Sequence, residues 1–415
     1  MTKILPAIEK IPAEELALRH ARCRDLLDRF MPGVSGMLIF SRIQLYHLTG
    51  TLANGVFWLP KEGKPVLMAR HGVERCRIES SIEEIHPFRS FSDIEKILSD
   101  VGTPLLPAEA ADVAVDFAGV TWQVGDLLRK KLPHISFIPC DRILTAGRSV
   151  KTEWELKKLR LSGARHHQAI YHDLPKQLHI GMTEREIAHV SWEIFFAKGH
   201  CGMLRMNTFG EDVFLGHIAA GESGNYPSHF NGPLGLMGEH PATPFMGYAG
   251  KVWRKNSPLA VDIGFALEGY HTDKTQLYWA GSKKSIPDVV RNAQNICIEI
   301  QNTIAAELRP GNIPSELYKK SLKMAEKAGF EDGFMALGGN KVKFLGHGIG
   351  LGIDEHPVIA TGFDEPLEKG NVIALEPKIG IPGIGMVGVE NTFEVTDNAS
   401  VCLTGDEYDM ICIEK

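Results

Sequence analysis

The sequence predicts an α+β protein of two domains, an α/β domain over residues 1–150 and a larger domain of long helices and paired β-hairpins over residues 151–415. Upstream of about residue 150, short apolar runs bounded by Gly, Pro or charge alternate with helical periodicity, as in a layered α/β domain. Downstream, four long helical stretches precede and separate strand-like runs that carry acidic residues inside apolar sequence. At 415 residues and 44% hydrophobic, the chain is long enough to bury two cores.

In chain order, the first element is a helix over Ala13 to Phe30, with Leu16, Leu18, Leu26 and Leu27 available for burial. The runs GMLIF, GVFWLP, KPVLMA, DVAVDF and ISFIP read as strands, with QVGDLLRKKL helical between the last two. A boundary falls near Ser149 to Thr152. The next helix opens at Thr152 and Glu153 and runs through SVKTEWELKKLRLSGARHHQAIYHDLPKQL. TEREIAHVSWEIFFAKG is a second, capped at Thr183 with Glu184 preferred over Glu186 as the acidic partner. RNAQNICIEIQNTIAAEL and PSELYKKSLKMAEKAG supply two more. His166 and His167 are adjacent on the first of these helices, so their side chains diverge by about 100° and cannot readily share one ion.

The chemistry concentrates in five positions: Asp262 in LAVDIG, Asp273 in YHTDKTQ, His347 in LGHGIG, Glu376 in ALEP and Glu390 in GVENT. A hairpin centred between Leu267 and Glu268 would set Asp262 directly opposite Asp273, with Cβ atoms roughly 4.5 to 5.5 Å apart. A second hairpin, turning at Ile381-Pro382-Gly383-Ile384-Gly385, would do the same for Glu376 and Glu390. LAVDIGF and NVIALEP are apolar, and an unpaired carboxylate buried there costs on the order of several kcal/mol. Facing acids repel, and without cations some would be protonated at neutral pH. Two divalent ions balance four carboxylates, and His347 adds a neutral nitrogen to an oxygen-rich shell. Such a shell favours Mn, Co or Fe(II) over a thiolate-type zinc site, with Zn still allowed.

With these motifs in this order, the chain resembles the pita-bread metallopeptidases, which include prolidase, aminopeptidase P, methionine aminopeptidase and the metal-free creatinase. The resemblance covers nearly the whole chain and implies a pita-bread catalytic domain behind a creatinase-like N-terminal domain. It implies that Asp262 chelates one metal, that Asp273 and Glu390 bridge both, and that His347 and Glu376 complete the other. Glu376 is then also the proton shuttle. The family places a histidine before the first ligand, in contact with the scissile carbonyl or leaving nitrogen. That role falls to His229, in NYPSHFNGPLG, with His240 as competitor.

Two departures bear on specificity. Seven residues after the GHG histidine, where relatives carry a second histidine, this chain has Asp354, with His356 two residues on; either is a candidate for substrate contact. Gly388 stands where relatives have an arginine, two residues before the last bridging glutamate. The inventory predicts attack on a carbonyl by hydroxide formed between two metals, with Glu376 moving the proton and His229 stabilising the oxyanion. The expected activity is that of an Xaa-Pro aminopeptidase or dipeptidase on small peptides. The alternatives are a non-peptide enzyme of the same fold, such as a creatinase-like or ectoine-type hydrolase or a dimethylsulfoniopropionate lyase, and a catalytically dead binding module.

Composition excludes other classes. A formal net charge of −6 leaves no basic footprint for nucleic acid. No apolar stretch approaches the ~20 residues of a membrane span, and MTKILPAIEK lacks a signal-peptide core, so a cytoplasmic address is expected. The seven cysteines, Cys23, Cys76, Cys140, Cys201, Cys297, Cys402 and Cys412, are scattered without a C-x-x-C pair and read as reduced packing residues. A homodimer is a further implication of the resemblance.

Overall fold

The computed structural model describes residues 5–107, 112–206 and 213–415, so the first four residues of the MTKILPAIEK segment lie outside the described residues. The chain divides into two compact units, Met1–Arg148 and Ser149–Lys415.

In the first unit, helix α1 (Ala13–Phe30) buries Leu16, Cys23 and Leu27 along one stripe. Leu18 is exposed, because two residues along a helix turn it about 200° from Leu16. Strands β1 (Val34–Ile39), β2 (Asn54–Pro60), β3 (Val66–His71), β4 (Glu84–Pro87), β5 (Asp112–Val115) and β6 (Ser136–Pro139) form one sheet in the order β4-β3-β2-β1-β5-β6. The pairs β1–β2 and β2–β3 are antiparallel, the others parallel. The run Val34–Ile39 is buried throughout, as suits a central strand covered on both faces. Helices α2 (Arg42–Thr49), α3 (Val73–Glu79), α4 (Asp93–Val101), α5 (Trp122–Lys131) and α6 (Asp141–Ser149) complete the layers. The strand β4 is absent from the sequence reading because EIHP carries neither an apolar run nor alternation.

The second unit opens with α7 (Glu153–His167), capped by Thr152 in a reciprocal box with Glu155. The long helix expected here does not run unbroken. A π-helical turn, Gln168–Asp173, separates α7 from the short α8 (Leu174–Gln177). For α9 (Glu184–Ala197) the acidic capping partner is Glu186 and not Glu184: the Glu186 carboxylate accepts from the Thr183 backbone N–H at 2.7 Å. The third helical position reaches back over the helix end. Glu184 points inward and accepts the backbone N–H groups of Ala220 and Tyr248.

Strands β7 (Met203–Leu204) and β8 (Val213–Phe214) form a small ladder, followed by β9 (Gly216–Ala220), β10 (Pro258–Leu267) and β11 (Tyr270–Ala280). Then come α10 (Asp288–Ala306), α11 (Pro314–Lys327), β12 (Phe344–Gly348), β13 (Glu355–Ala360), β14 (Val372–Leu375), β15 (Lys378–Ile381), β16 (Gly385–Gly388), β17 (Asn391–Val395), β18 (Ser400–Cys402) and β19 (Ile411–Ile413). Two main sheets result, β19-β11-β10-β9 and β13-β12-β14-β17-β18. They meet where Thr275 of β11 bridges to Glu390. Val290 and Ile300 of α10 pack with Ile373 and Val387 of the second hairpin in one core, and Ile187 and Phe195 of α9 pack with Val261 and Phe265 in another. Helices on the outer faces of strongly hydrogen-bonded hairpins make this an α+β unit, and they leave the inner faces of those hairpins turned toward each other.

Candidate metal centre

The first hairpin turns on Glu268 and Gly269, both left-handed with φ of 52° and 87°. Two successive positive φ values give the tight two-residue turn whose twist matches antiparallel strands. Its centre lies one residue later than the sequence suggested, which corrects the pairing: Asp262 is opposite Thr275, and Asp273 is opposite Gly264. Because side chains alternate with period two, Asp262 and Asp273 still project from one face, as diagonal neighbours.

The second hairpin keeps a single register from Val372↔Glu394 and Leu375↔Asn391 to Lys378↔Gly388 and Ile381↔Gly385. Glu376 and Glu390 fall between these two ladders, at positions that the same register matches. Its tip is at Gly383, with φ 75°. His347 sits on β12 opposite Ala374 of β14, one strand away from Glu376.

These elements bring the five residues together. His347 Nε2 lies 3.8 Å from Glu376 Oε1 and 3.9 Å from Glu390 Oε1. Its Nδ1 faces the Gly348 carbonyl at 3.0 Å and Asp354 Oδ1 at 3.3 Å. A carboxylate and a carbonyl on the rear nitrogen orient an imidazole and raise its basicity as a ligand. Glu376, Glu390 and His347 are buried, and Asp262 keeps 15% of its side chain exposed. Asp273, His347 and Glu390 can each bring a donor atom within 4.8 Å of the others. That donor set, two carboxylates and one imidazole, fits a divalent ion.

Two residues that sequence reasoning missed complete the site. Lys378 projects into it, with Nζ 2.7 Å from Glu390 Oε2, 3.0 Å from Glu376 Oε2 and 3.2 Å from Asp262 Oδ2. Its signal was present in the sequence, since Lys378 follows Glu376 by two in a strand and must share its face. His217 on β9 pairs directly with Asp262, and its Nε2 is buried without a hydrogen-bond partner. Nothing in the local sequence marked it.

Electrostatics follow from burial and these neighbours. Burial raises the Asp273 carboxyl well above the usual range, and Glu390 and Asp262 add to it. Burial, with Glu376 and Asp262 adding, pushes Glu390 up to about 8 against the pull of Lys378. For Asp262, burial is outweighed by Lys378 and His217, and its pKa falls. Burial opposes the charge of Lys378, but Asp262, Glu376 and Glu390 prevail and hold its pKa well above the ordinary value. Burial lowers His217 to about 4, so its ring is neutral near pH 7.

The other predicted positions have these surroundings. His229 is exposed and forms no hydrogen bond or ion pair with the five, although the ring of its neighbour Phe230 lies 4.7 Å from that of His217. His240 is exposed and closes a local turn with Thr243. His356 precedes a cis peptide bond to Pro357, with Nε2 3.9 Å from Glu365. His166 is buried, its Nδ1 3.2 Å from Thr272 Oγ1. His167 turns the other way, onto Glu407 at 2.7 Å and beside His172, forming the other group of three metal-competent donors found among the described residues.

The model of metallopeptidase family M24 matches residues 157–397, and that of the creatinase/prolidase N-terminal domain matches residues 19–150. The probable dipeptidase PepE of Mycobacterium tuberculosis is 28% identical over 272 residues, 65% of this chain. That alignment spans 62% of PepE's own length. The Xaa-Pro dipeptidase of Pyrococcus furiosus is 23% identical over 389 residues, covering 93% of this chain and 98% of its own. Among solved structures, an Xaa-Pro dipeptidase from Bacillus anthracis superposes with a TM-score of 0.78 at 21% identity, covering 96% of this chain and 100% of its own. An X-Pro aminopeptidase from Thermotoga maritima superposes with a TM-score of 0.74 at 20% identity, covering 95% and 99%. These structures share the fold.

Proposed function

The chain belongs to metallopeptidase family M24, and on that premise we propose that it is a metal-dependent peptidase acting as an Xaa-Pro dipeptidase or Xaa-Pro aminopeptidase on small peptides. The observation that carries the reading is the convergence of four carboxylates and one imidazole in a buried site, with the imidazole oriented from behind by Asp354. Relatives named Xaa-Pro dipeptidase support the substrate class.

Asp273, His347 and Glu390 would hold a divalent ion, Mn or Co by the softness of the donor set, with Fe(II) or Zn as substitutes. When bound, such an ion supplies an electrophile for a peptide carbonyl and lowers the pKa of a water. Glu376 then accepts a proton at its carboxylate and returns it to the departing amine. His217 is the histidine beside Asp262, and its unpartnered Nε2 supports giving it the contact with the scissile carbonyl or leaving nitrogen. His229 and His240 are the competitors for that contact. The protein is further proposed to be a cytoplasmic homodimer. Seven unpaired cysteines support a reducing compartment, and among the described residues no helix is long and apolar enough to cross a membrane.

The test is hydrolysis of Ala-Pro, Met-Pro, Xaa-Pro-Xaa tripeptides and matched non-proline peptides by protein stripped with chelator and reloaded with Mn, Co, Fe(II) or Zn. Metal-dependent cleavage at the Xaa-Pro bond is expected. Full metal occupancy without cleavage of any peptide would sink the peptidase reading and favour a non-peptide substrate on the same fold.

A further inference from the structure

The two glutamates of the second hairpin divide their oxygens between two places. Glu376 Oε1 and Glu390 Oε1 face His347 Nε2, at 3.8 and 3.9 Å. Their Oε2 atoms face the other way, where Asp262 Oδ2 joins them, and at that focus stands Lys378 Nζ, 2.7 to 3.2 Å from all three. The site therefore has two cation positions, and the protein's own ammonium fills one. We propose that Lys378 permanently holds the second cation position, so that the chain takes up one divalent ion, beside Asp273, His347 and Glu390, and not the two expected from the sequence. The inference rests on the metal-site reading above and changes its stoichiometry.

The physical case is exclusion. A protonated amine has three donors and no lone pair, so Lys378 cannot become a ligand while it bridges the carboxylates. Divalent ions sit about 2.0 to 2.3 Å from carboxylate oxygens. An ion bound by the same three oxygens would share the space of Nζ, with like charges in a site of low dielectric. Retreat is also costly, because the Lys378 side chain is 1% exposed and its three acceptors are the carboxylates themselves. The cross-strand partner of Lys378 is Gly388, where an added Cβ would come within 2.4 Å of the Pro377 carbonyl oxygen, 2.6 Å of Lys378 Cα and 3.0 Å of Lys378 Cγ. The two nearest of these atoms are backbone, so the facing strand itself closes to a side chain the position at which relatives have an arginine.

The experiment is Mn(II) loading of chelator-stripped full-length protein, read by elemental analysis after gel filtration and by electron paramagnetic resonance. Wild type is expected to saturate at one Mn per chain with the six-line signal of an isolated ion. The Lys378→Ala variant is expected to take two, with a spin-coupled spectrum, and Lys378→Arg to stay at one. Two coupled ions in the wild type would overturn the proposal while leaving the metal-site reading intact. One ion in both wild type and Lys378→Ala would overturn the assignment of Lys378 as the excluding group. No ion in any of the proteins would overturn the metal-site reading and the proposal with it. The wild-type count decides the matter even where Lys378→Ala fails to fold.

Discussion

Asp116 in the N-terminal unit and the clustered carboxylates of the candidate metal centre in the C-terminal unit are acids largely withdrawn from solvent, and they are satisfied in different ways. Asp116, 1% exposed at the end of β5, is closed off by backbone: its two oxygens accept the N–H groups of Phe40 and Ser41 at 2.8 and 2.7 Å. His20 in the same unit is handled likewise, its Nε2 2.7 Å from the Leu48 carbonyl. In the C-terminal unit the acids face one another and a lysine, and His217 Nε2 faces them with no partner. A buried polar group answered by its own backbone is architecture. The clustered set takes one backbone N–H, from Lys274 to Asp273, and one hydroxyl, from Thr275 to Glu390, and otherwise its members face one another, so acceptor capacity is left over at a solvent-reaching edge such as Asp262 for a ligand to use.

Substitutions should break this contrast unequally. The largest expected effect is Glu376→Gln, which removes the proposed proton carrier and is expected to keep shape and most metal affinity. Its kcat should fall by roughly 10²- to 10⁴-fold, with bound metal measured alongside, and normal turnover would take Glu376 out of the mechanism. Next, His217→Ala should lower kcat/KM by about 10²-fold and His229→Ala by much less; the reverse order would return the substrate contact to His229.

The pH dependence of stability separates the units' histidines from their acids. Burial lowers His20 to about 4 from 6.5. A folded-state pKa below the unfolded one means the contribution is complete above pH 6.5 and is lost as pH falls toward 4. The loss is on the order of 3 kcal/mol. Urea unfolding of the full chain across that window should show a flatter profile for His20→Gln than for wild type. Identical slopes would mean His20 is not the titrating group. The smallest effect is expected for Asp116→Ala, which strands the half-buried N–H groups of Phe40 and Ser41 and should cost about 2 kcal/mol without changing metal content. A fall in metal content would contradict a purely structural Asp116.

Much of this was legible in sequence, for identifiable reasons. Helix α1 follows from periodicity, and the strand runs from apolar stretches between turn residues. The Glu376 and Glu390 register was readable because Pro382 and Gly383 mark the turn and no bulge intervenes. The Asp262 and Asp273 register was missed by one residue at the turn, because the first left-handed position is Glu268, a residue type that does not advertise a positive φ. The π-helical turn after His167 was invisible for a similar reason: its residues are ordinary helix formers.

By itself, then, the sequence determined which residues are chemically capable and which local elements present them, since alternation, turn chemistry and burial preference act over a few residues. Only the tertiary structure decided how the oxygens are shared. The pairing of β9 with β10 spans a long connection and brings His217 to Asp262. The meeting of the two hairpins at Thr275 and Glu390 brings Asp262 of the first to Lys378, which already stands between Glu376 and Glu390 of its own hairpin. Charge balance in a buried site is a property of the assembled neighbourhood, because Coulomb energies there depend on separations that no local pattern encodes.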